Sequence, residues 1–199
     1  MIKAIIFDVG GVLIYNIIPA VFDDIEHTLK IDKATVKKAW DEIMPALSVN
    51  QITEEEYWKR FIKATKTTQP LPKESLLERN YKAIPNDAVT KIVTQLRENG
   101  YKLAVLSNTI DLHTAINKRL GIYDDFPFQI LSNEVKLIKP DKDIYLLALK
   151  KLQTKPEETI FIDDNVKNVD VANTLGFHGI HFTSAEGLKN ELQKQGVQL

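Results

Sequence analysis

The sequence predicts an α/β fold: a parallel sheet with helices on both faces, plus a small all-helical module inserted after the first strand. Three observations carry this expectation. Short, strongly apolar segments of buried-strand character recur along the chain, helix-period segments separate them, and residues 16–81 contain no convincing strand. In order, Ile2 to Phe7 reads as the first strand, closed by Asp8 and then Gly10-Gly11. Amphipathic helices follow near Ala20 to Leu29, Lys33 to Ile43, Glu54 to Lys66 and Lys73 to Tyr81. Thr53 with Glu56 resembles a capping box, and Pro70 and Pro72 mark a turn. Trp40, Tyr57 and Trp58 fall in this region and read as anchors of a small helical core rather than a substrate shelf. Asn86 opens a further helix with Val89, Ile92, Val93 and Leu96 on one face and Gly100 as its stop. Lys102 to Leu106 is the next strand, with Phe126 to Leu131 another candidate. The helix from Asp141 to Leu152 precedes strands at Thr159 to Ile162 and Gly179 to Phe182. Because these strands are apolar without alternation, both faces of the sheet are expected to be covered. The domain organisation expected is 1–15 with 82–199 as the α/β core and 16–81 as the helical module.

Composition narrows the function. The 199 residues are 44% hydrophobic and 27% charged with a net charge of −1, ordinary for a globular protein and without the basic field that nucleic acid requires. The absence of cysteine removes disulfide and thiolate chemistry. Neither a signal-peptide pattern nor an apolar run of membrane-spanning length occurs, so the expectation is a cytoplasmic protein with no membrane partner.

In an open parallel sheet, ligands collect at the carboxyl ends of the strands. The polar residues at those ends are Asp8; Ser107, Asn108 and Thr109; and Asp163, Asp164 and Asn165, with Asn168 one helical turn on and Lys139 before the helix at Asp141. Clustered carboxylates repel unless a cation sits among them, and carboxylates, a carbonyl and waters are the ligand set of Mg²⁺. A lysine and a serine beside them supply the charge compensation and hydrogen-bond donor that a phosphoryl group needs. Metal-assisted phosphoryl transfer follows from this chemistry, with a carboxylate able to attack phosphorus. Gly10 and Gly11 would let the backbone turn sharply and bring amides and a carbonyl close to ligand and metal.

The segments "FDVGGVL", "LSNT", "KP" and "FIDDN", in this order, resemble the four motifs of the haloacid dehalogenase superfamily. The resemblance implies a Rossmann-like core, a helical cap in the first insertion position, Mg²⁺ as cofactor and hydrolysis of phosphate monoesters. Asp8 resembles the nucleophile, which also ligates the metal, and the carbonyl of Gly10 another ligand. Ser107 and Lys139 resemble the stabilisers of phosphate and aspartyl charge, and with Gly11 and Asn108 they form the expected substrate-phosphate site. Asp164 corresponds to the direct metal carboxylate, Asp163 to an acid acting through water, and Asn168 takes the place of a further acid in some relatives. The D-x-G-G-V form of the first motif resembles a subgroup that includes glucose-1-phosphate phosphatases. The partner implied is a small phosphorylated metabolite, a sugar phosphate foremost, and the chain is expected to be a monomer or homodimer.

One position departs from the pattern. Most phosphatases of the superfamily carry an acid two residues after the nucleophile, where this chain has Gly10. General acid–base help is worth ~10²–10⁴-fold, roughly 3–5 kcal/mol of barrier. Three readings remain open. The first is a phosphatase acting on an easily expelled leaving group or using His113 or Tyr15 as its acid. The second is a 2-haloacid dehalogenase, which would not need Asp163-Asp164 and usually offers an arginine near the nucleophile; here none precedes Arg60. The third is a catalytically lapsed metabolite-binding or regulatory module. Asp23-Asp24 and Asp124-Asp125 read as solvated acids, and His178 and His181 as surface or sheet-edge residues.

Overall fold

The computed structural model describes residues 1–79 and 81–199. Five parallel strands form one sheet in the order β3-β2-β1-β4-β5: β1 (Ala4–Phe7), β2 (Lys102–Ser107), β3 (Phe128–Leu131), β4 (Thr159–Asp163) and β5 (His178–His181). All five expected strands form, their ends displaced by one or two residues. Every residue of β1 is buried because the strand is central and both of its faces are covered. Ile5 and Phe7 look one way, toward α4 (Asp87–Glu98) and α9 (Ala185–Lys194), with Val89, Ile92, Val93, Leu96, Leu188 and Leu192 in the same apolar cluster. Ala4 and Ile6 look the other way, into a cluster built with Ile144, Tyr145, Ala148, Leu149 and Leu152 of α7 (Lys142–Leu152) and Ala172 of α8 (Val166–Thr174). Helices α5 (Asp111–Arg119) and the single turn α6 (Ser132–Val135) follow β2 and β3.

Between β1 and α4 lie α1 (Ile18–Leu29), α2 (Lys33–Ser48) and α3 (Glu54–Thr65), packed around a third cluster of Val21, Ile25, Val36, Tyr57, Trp58 and Phe61, which Ile110 of the core joins. Asp32 and Thr53 cap α2 and α3 by accepting from Thr35 N (3.0 Å) and Glu56 N (3.2 Å). The capping box at Thr53 is only half made, since the Glu56 carboxylate accepts from Arg60 at 2.8 Å instead. Two expectations are corrected here. Helix α2 does not stop at Ile43 but runs through Pro45 to Ser48. No regular helix forms over 73–79; position 80 of that expected helix lies outside the described residues. The Ser75 hydroxyl accepts from Leu77 N (3.1 Å) and donates to Glu54 (2.6 Å), so local side-chain bonds replace the helical ladder while Leu76 and Leu77 are still buried.

The far end of α2 is tied to the core. The Ser48 carbonyl accepts from the buried Ser132 hydroxyl at 2.8 Å, whose oxygen accepts from Thr109 N at 2.9 Å. The Asn50 side-chain amide donates to Asp111 (2.9 Å) and to the Asn133 carbonyl (3.2 Å). Among the described residues, no helix is long and apolar enough to cross a membrane.

Candidate active site

Three strands deliver the chemistry to one place. Asp8 follows β1, Ser107 ends β2 and Asp163 ends β4, so the central strand and its two neighbours set polar residues side by side at their carboxyl ends. A cleft of about 410 Å³ opens there, lined by Asp8, Gly10, Ser107, Asn108, Lys139, Asp163, Asp164 and Asn168 on the core side and by Ile17, Ile18, Trp40 and Tyr81 opposite. Among the lining residues there is no arginine.

The centre of the arrangement is the Lys139 ammonium, which is buried and donates to Asp8 Oδ1 and Asp163 Oδ2 at 2.7 Å each. Asp163 is fully buried: its Oδ2 also accepts from Asn168 Nδ2 at 3.0 Å and its Oδ1 from Asn165 N at 2.8 Å. Carboxylate oxygens of Asp8, Asp163 and Asp164 lie within 4.8 Å of one another. Three carboxylates thus face one ammonium, and the imbalance is visible in the titration of Asp8 and Asp164. Burial pushes Asp8 up to about 7, with Asp163 adding to the rise and Lys139 opposing it. Burial, then Asp163, also raises Asp164. Burial alone would lower Lys139, but the charges of Asp8 and Asp163 outweigh it and hold the ammonium protonated.

This donor set fits a magnesium ion. All three side chains offer hard oxygen atoms on one side of the cleft, and an additional dication would relieve a repulsion that one lysine leaves uncompensated. The glycines separate into two cases. Gly11 has φ +82°, and a Cβ there would sit 2.6 Å from Cγ of Asp164 and closer still to Oδ2, so the loop packs directly on this carboxylate. A Cβ at Gly10 would meet no atom of the described residues within 4 Å, and position 10 lines the cleft.

Other residues take roles the sequence did not disclose. Asn108 lines the cleft, yet its amide donates to the Lys139 carbonyl at 2.9 Å and its Oδ1 accepts from Lys139 N at 2.8 Å; it positions the lysine loop. His181 accompanies the site through its Nε2, 3.1 Å from the Asp164 carbonyl. His113 lines the cleft, stacked on Tyr81 with ring centroids 3.7 Å apart, and its Nε2 donates to the Leu77 carbonyl at 2.9 Å. Burial pushes His113 down to about 4, so it is a neutral imidazole near pH 7 and a poor proton donor. Tyr81 itself donates to Asn117 Oδ1 at 2.9 Å. Tyr15 is 57% exposed and does not line the cleft. Of the aromatic residues read as core, Tyr57 and Trp58 are buried, but Trp40 is half-buried and forms part of the cleft wall. Among the other acids, Asp24 pairs with Arg79 at 2.6 Å and Asp125 pairs with Arg97, away from the cleft.

An α/β sheet carrying a buried aspartate–lysine pair and further carboxylates at its strand ends is an arrangement suited to hydrolytic chemistry. The chain belongs to the haloacid dehalogenase-like hydrolases: that family's model matches residues 2–176. It is 28% identical to acyl-CoA dehydrogenase family member 10 of Mus musculus over 96% of this chain, and 32% identical to a glyceraldehyde 3-phosphate phosphatase of Methanopyrus kandleri over 46% of it. The aligned parts span 19% and 40% of those two proteins. A solved structure of a haloacid dehalogenase family enzyme from Bacteroides thetaiotaomicron, in complex with magnesium and inorganic phosphate, superposes with a TM-score of 0.75 at 22% identity, covering 92% of this chain and 95% of that one. At that identity the likeness is one of fold.

Proposed function

We propose that the protein is a Mg²⁺-dependent phosphatase that hydrolyses a small-metabolite phosphate monoester, a sugar phosphate foremost, through an aspartyl-phosphate on Asp8. The observation that carries this reading is the buried Lys139 bridge between Asp8 and Asp163, with Asp164 beside it, lining a cleft. The matched phosphatase of Methanopyrus kandleri supports the same class of substrate.

In the proposed cycle, an Asp8 oxygen attacks phosphorus in line as the bond to the leaving oxygen breaks, and that oxygen takes its proton from solvent water. Lys139 balances charge on Asp8 and on the phosphoryl oxygens, and the Ser107 hydroxyl donates to one of them. Water then attacks phosphorus, which returns the Asp8 carboxylate and releases inorganic phosphate. Asp8, Asp164 and the Gly10 carbonyl would hold the metal, with Asp163 reaching it through water; when bound, the ion supplies further positive charge to the transferring group. Residues 16–81 act as the cap that covers the cleft, and residues 1–15 with 82–199 as the catalytic core.

The dehalogenase reading is disfavoured by the absence of an arginine among the cleft residues and by the Asp163-Asp164 pair, which that chemistry does not use. The lapsed-module reading is disfavoured because Asp8, Lys139 and both acids retain their mutual bonds or proximity. The test is phosphate release from a panel of phosphorylated metabolites, with and without Mg²⁺, beside Asp8→Asn. Metal-dependent release that disappears in the variant is the expected result. Tight metabolite binding without release would favour the regulatory module, and metal-free halide release the dehalogenase.

A further inference from the structure

The cleft wall that faces the carboxylates holds one polar atom that the protein itself leaves unused. His113, on α5, is fixed from two directions: its ring stacks on Tyr81 with 11° between the planes, and its Nε2 lies 2.9 Å from the Leu77 carbonyl. A carbonyl can only accept, so Nε2 carries the ring hydrogen and, in the neutral imidazole, Nδ1 is a bare acceptor. Among the described residues no donor reaches it. The buried side-chain atoms left without a partner there are the Tyr57 hydroxyl and Gln195 Oε1, so His113 Nδ1 is open to solvent. The hollows that His113 lines are the cleft itself and a neighbour of about 530 Å³ beside α2. Other acceptors on the same wall are already in use. Asn16 Oδ1 takes the Ile18 N–H at 3.0 Å, and Asn117 Oδ1 takes the Tyr81 hydroxyl. Burial keeps the imidazole neutral, so its lone pair persists near pH 7. The charged groups of the cleft, Asp8, Lys139, Asp163 and Asp164, all stand on the other side.

The phosphate of a bound ester belongs with the charged side, so its organic part meets this neutral wall. A second ionic group there would lose hydration with no counter-charge to replace it, whereas a hydroxyl would exchange water for the imidazole. We propose that His113 is a specificity residue, its Nδ1 accepting the hydrogen of a hydroxyl on the leaving group. A side chain unable to give a proton to the leaving oxygen thereby reads the body of the same group. The Leu77 bond and the Tyr81 stack hold the ring in place before the ester arrives, and such preorganisation lets one hydrogen bond discriminate. An analogue lacking the hydroxyl would leave Nδ1 unpaired against an apolar chain. This role rests on the phosphatase reading for turnover, but not for binding.

The experiment pairs glycerol 3-phosphate with propyl phosphate and erythritol 4-phosphate with butyl phosphate. Every ester expels a primary alcohol, and within a pair only the hydroxyls of the leaving group differ. For the better pair, the ratio of kcat/KM for the polyol ester to that for the alkyl ester is expected to reach about 10 or more. In His113→Phe, which keeps a ring against Tyr81 but has no nitrogen, the ratio should fall to near 1. A wild-type ratio near 1, or one that His113→Phe leaves unchanged, overturns the inference while leaving the phosphatase intact. Binding is followed separately by calorimetry in Asp8→Asn. Tighter binding of the polyol ester, lost when His113→Phe is added, supports the role even if no ester is turned over; equal binding of both members, or none, sinks it. Should His113→Phe not fold, the ¹⁵N resonance of His113 Nδ1 in Asp8→Asn decides. It is expected to move with the polyol ester and stay with the alkyl ester, and a signal indifferent to the polyol ester refutes the contact.

Discussion

The two adjacent glycines of the first loop make opposite predictions under the same substitution. At Gly11, alanine must adopt φ +82°, a left-handed conformation that costs an L-residue about 1–2 kcal/mol. Its Cβ would also fall 2.6 Å from Cγ of Asp164, where ordinary contacts are near 3.5–4.0 Å. That carboxylate is the end of a side chain and can swing away, so the clash adds little to the folding penalty. The displacement instead removes Asp164 from the carboxylate cluster. Gly11→Ala is therefore expected to lose about 1–2 kcal/mol in urea denaturation and to weaken Mg²⁺ at least as much as loss of a supporting ligand contact does, about 10–100-fold. At Gly10 a Cβ meets nothing within 4 Å and φ lies outside the left-handed region, so Gly10→Ala should stay within about 0.5 kcal/mol of wild type. Its Mg²⁺ affinity by isothermal titration calorimetry should also be unchanged. If Gly11→Ala binds Mg²⁺ as the wild type does, the assignment of Asp164 to the metal is refuted; equal destabilisation by both variants would refute the steric argument.

Further outcomes are expected elsewhere. His113 titrates near 4 when folded, below its ordinary 6.5, so the folded state binds fewer protons between those values and stability falls as pH drops through them. From pH 7.5 to 4.5 that linkage amounts to about 2.5 kcal/mol; His113→Gln should lose that much less over the same interval in paired denaturation curves, and identical losses would contradict it. Asn108→Ala removes two bonds to the Lys139 backbone and should cost about 2 kcal/mol, with kcat falling more than KM changes; a pure KM effect would argue for direct substrate contact instead. Among the described residues the buried Tyr57 hydroxyl has no hydrogen-bond partner, so Tyr57→Phe should be neutral or stabilising by about 1 kcal/mol, and a loss of that size in thermal denaturation would contradict this.

The sheet was readable because a strand covered on both faces must be apolar throughout, and "AIIF", "KLAVLS" and "TIFID" carry that signature with polar residues only at the termini of the last two. The same contrast made Asp8, Asp163 and Asp164 conspicuous, since an acid directly after a buried strand has few structural excuses. Tertiary partners were less accessible. Asn108 reads as part of the phosphate site, and nothing local says that it clasps a backbone 31 residues away. Trp40 and Trp58 occupy similar helical stripes, and sequence alone does not tell the one facing a cleft from the one facing a core. The turn over 73–79 escaped for a related reason: Ser75 abandons the helix for a carboxylate on α3.

The polar clasp joining Ser48 and Asn50 to Ser132, Thr109, Asp111 and Asn133 bears on how the protein admits its guest. A flap hinged only at its two chain crossings could swing wide and sample many shapes. One that is also stapled along its opposite margin must snap several bonds, each worth about 1 kcal/mol, before it gapes. Should residues 16–81 cover the cleft as proposed, these bonds resist its opening, and selection falls to the contour of a standing wall rather than to the vigour of a moving door.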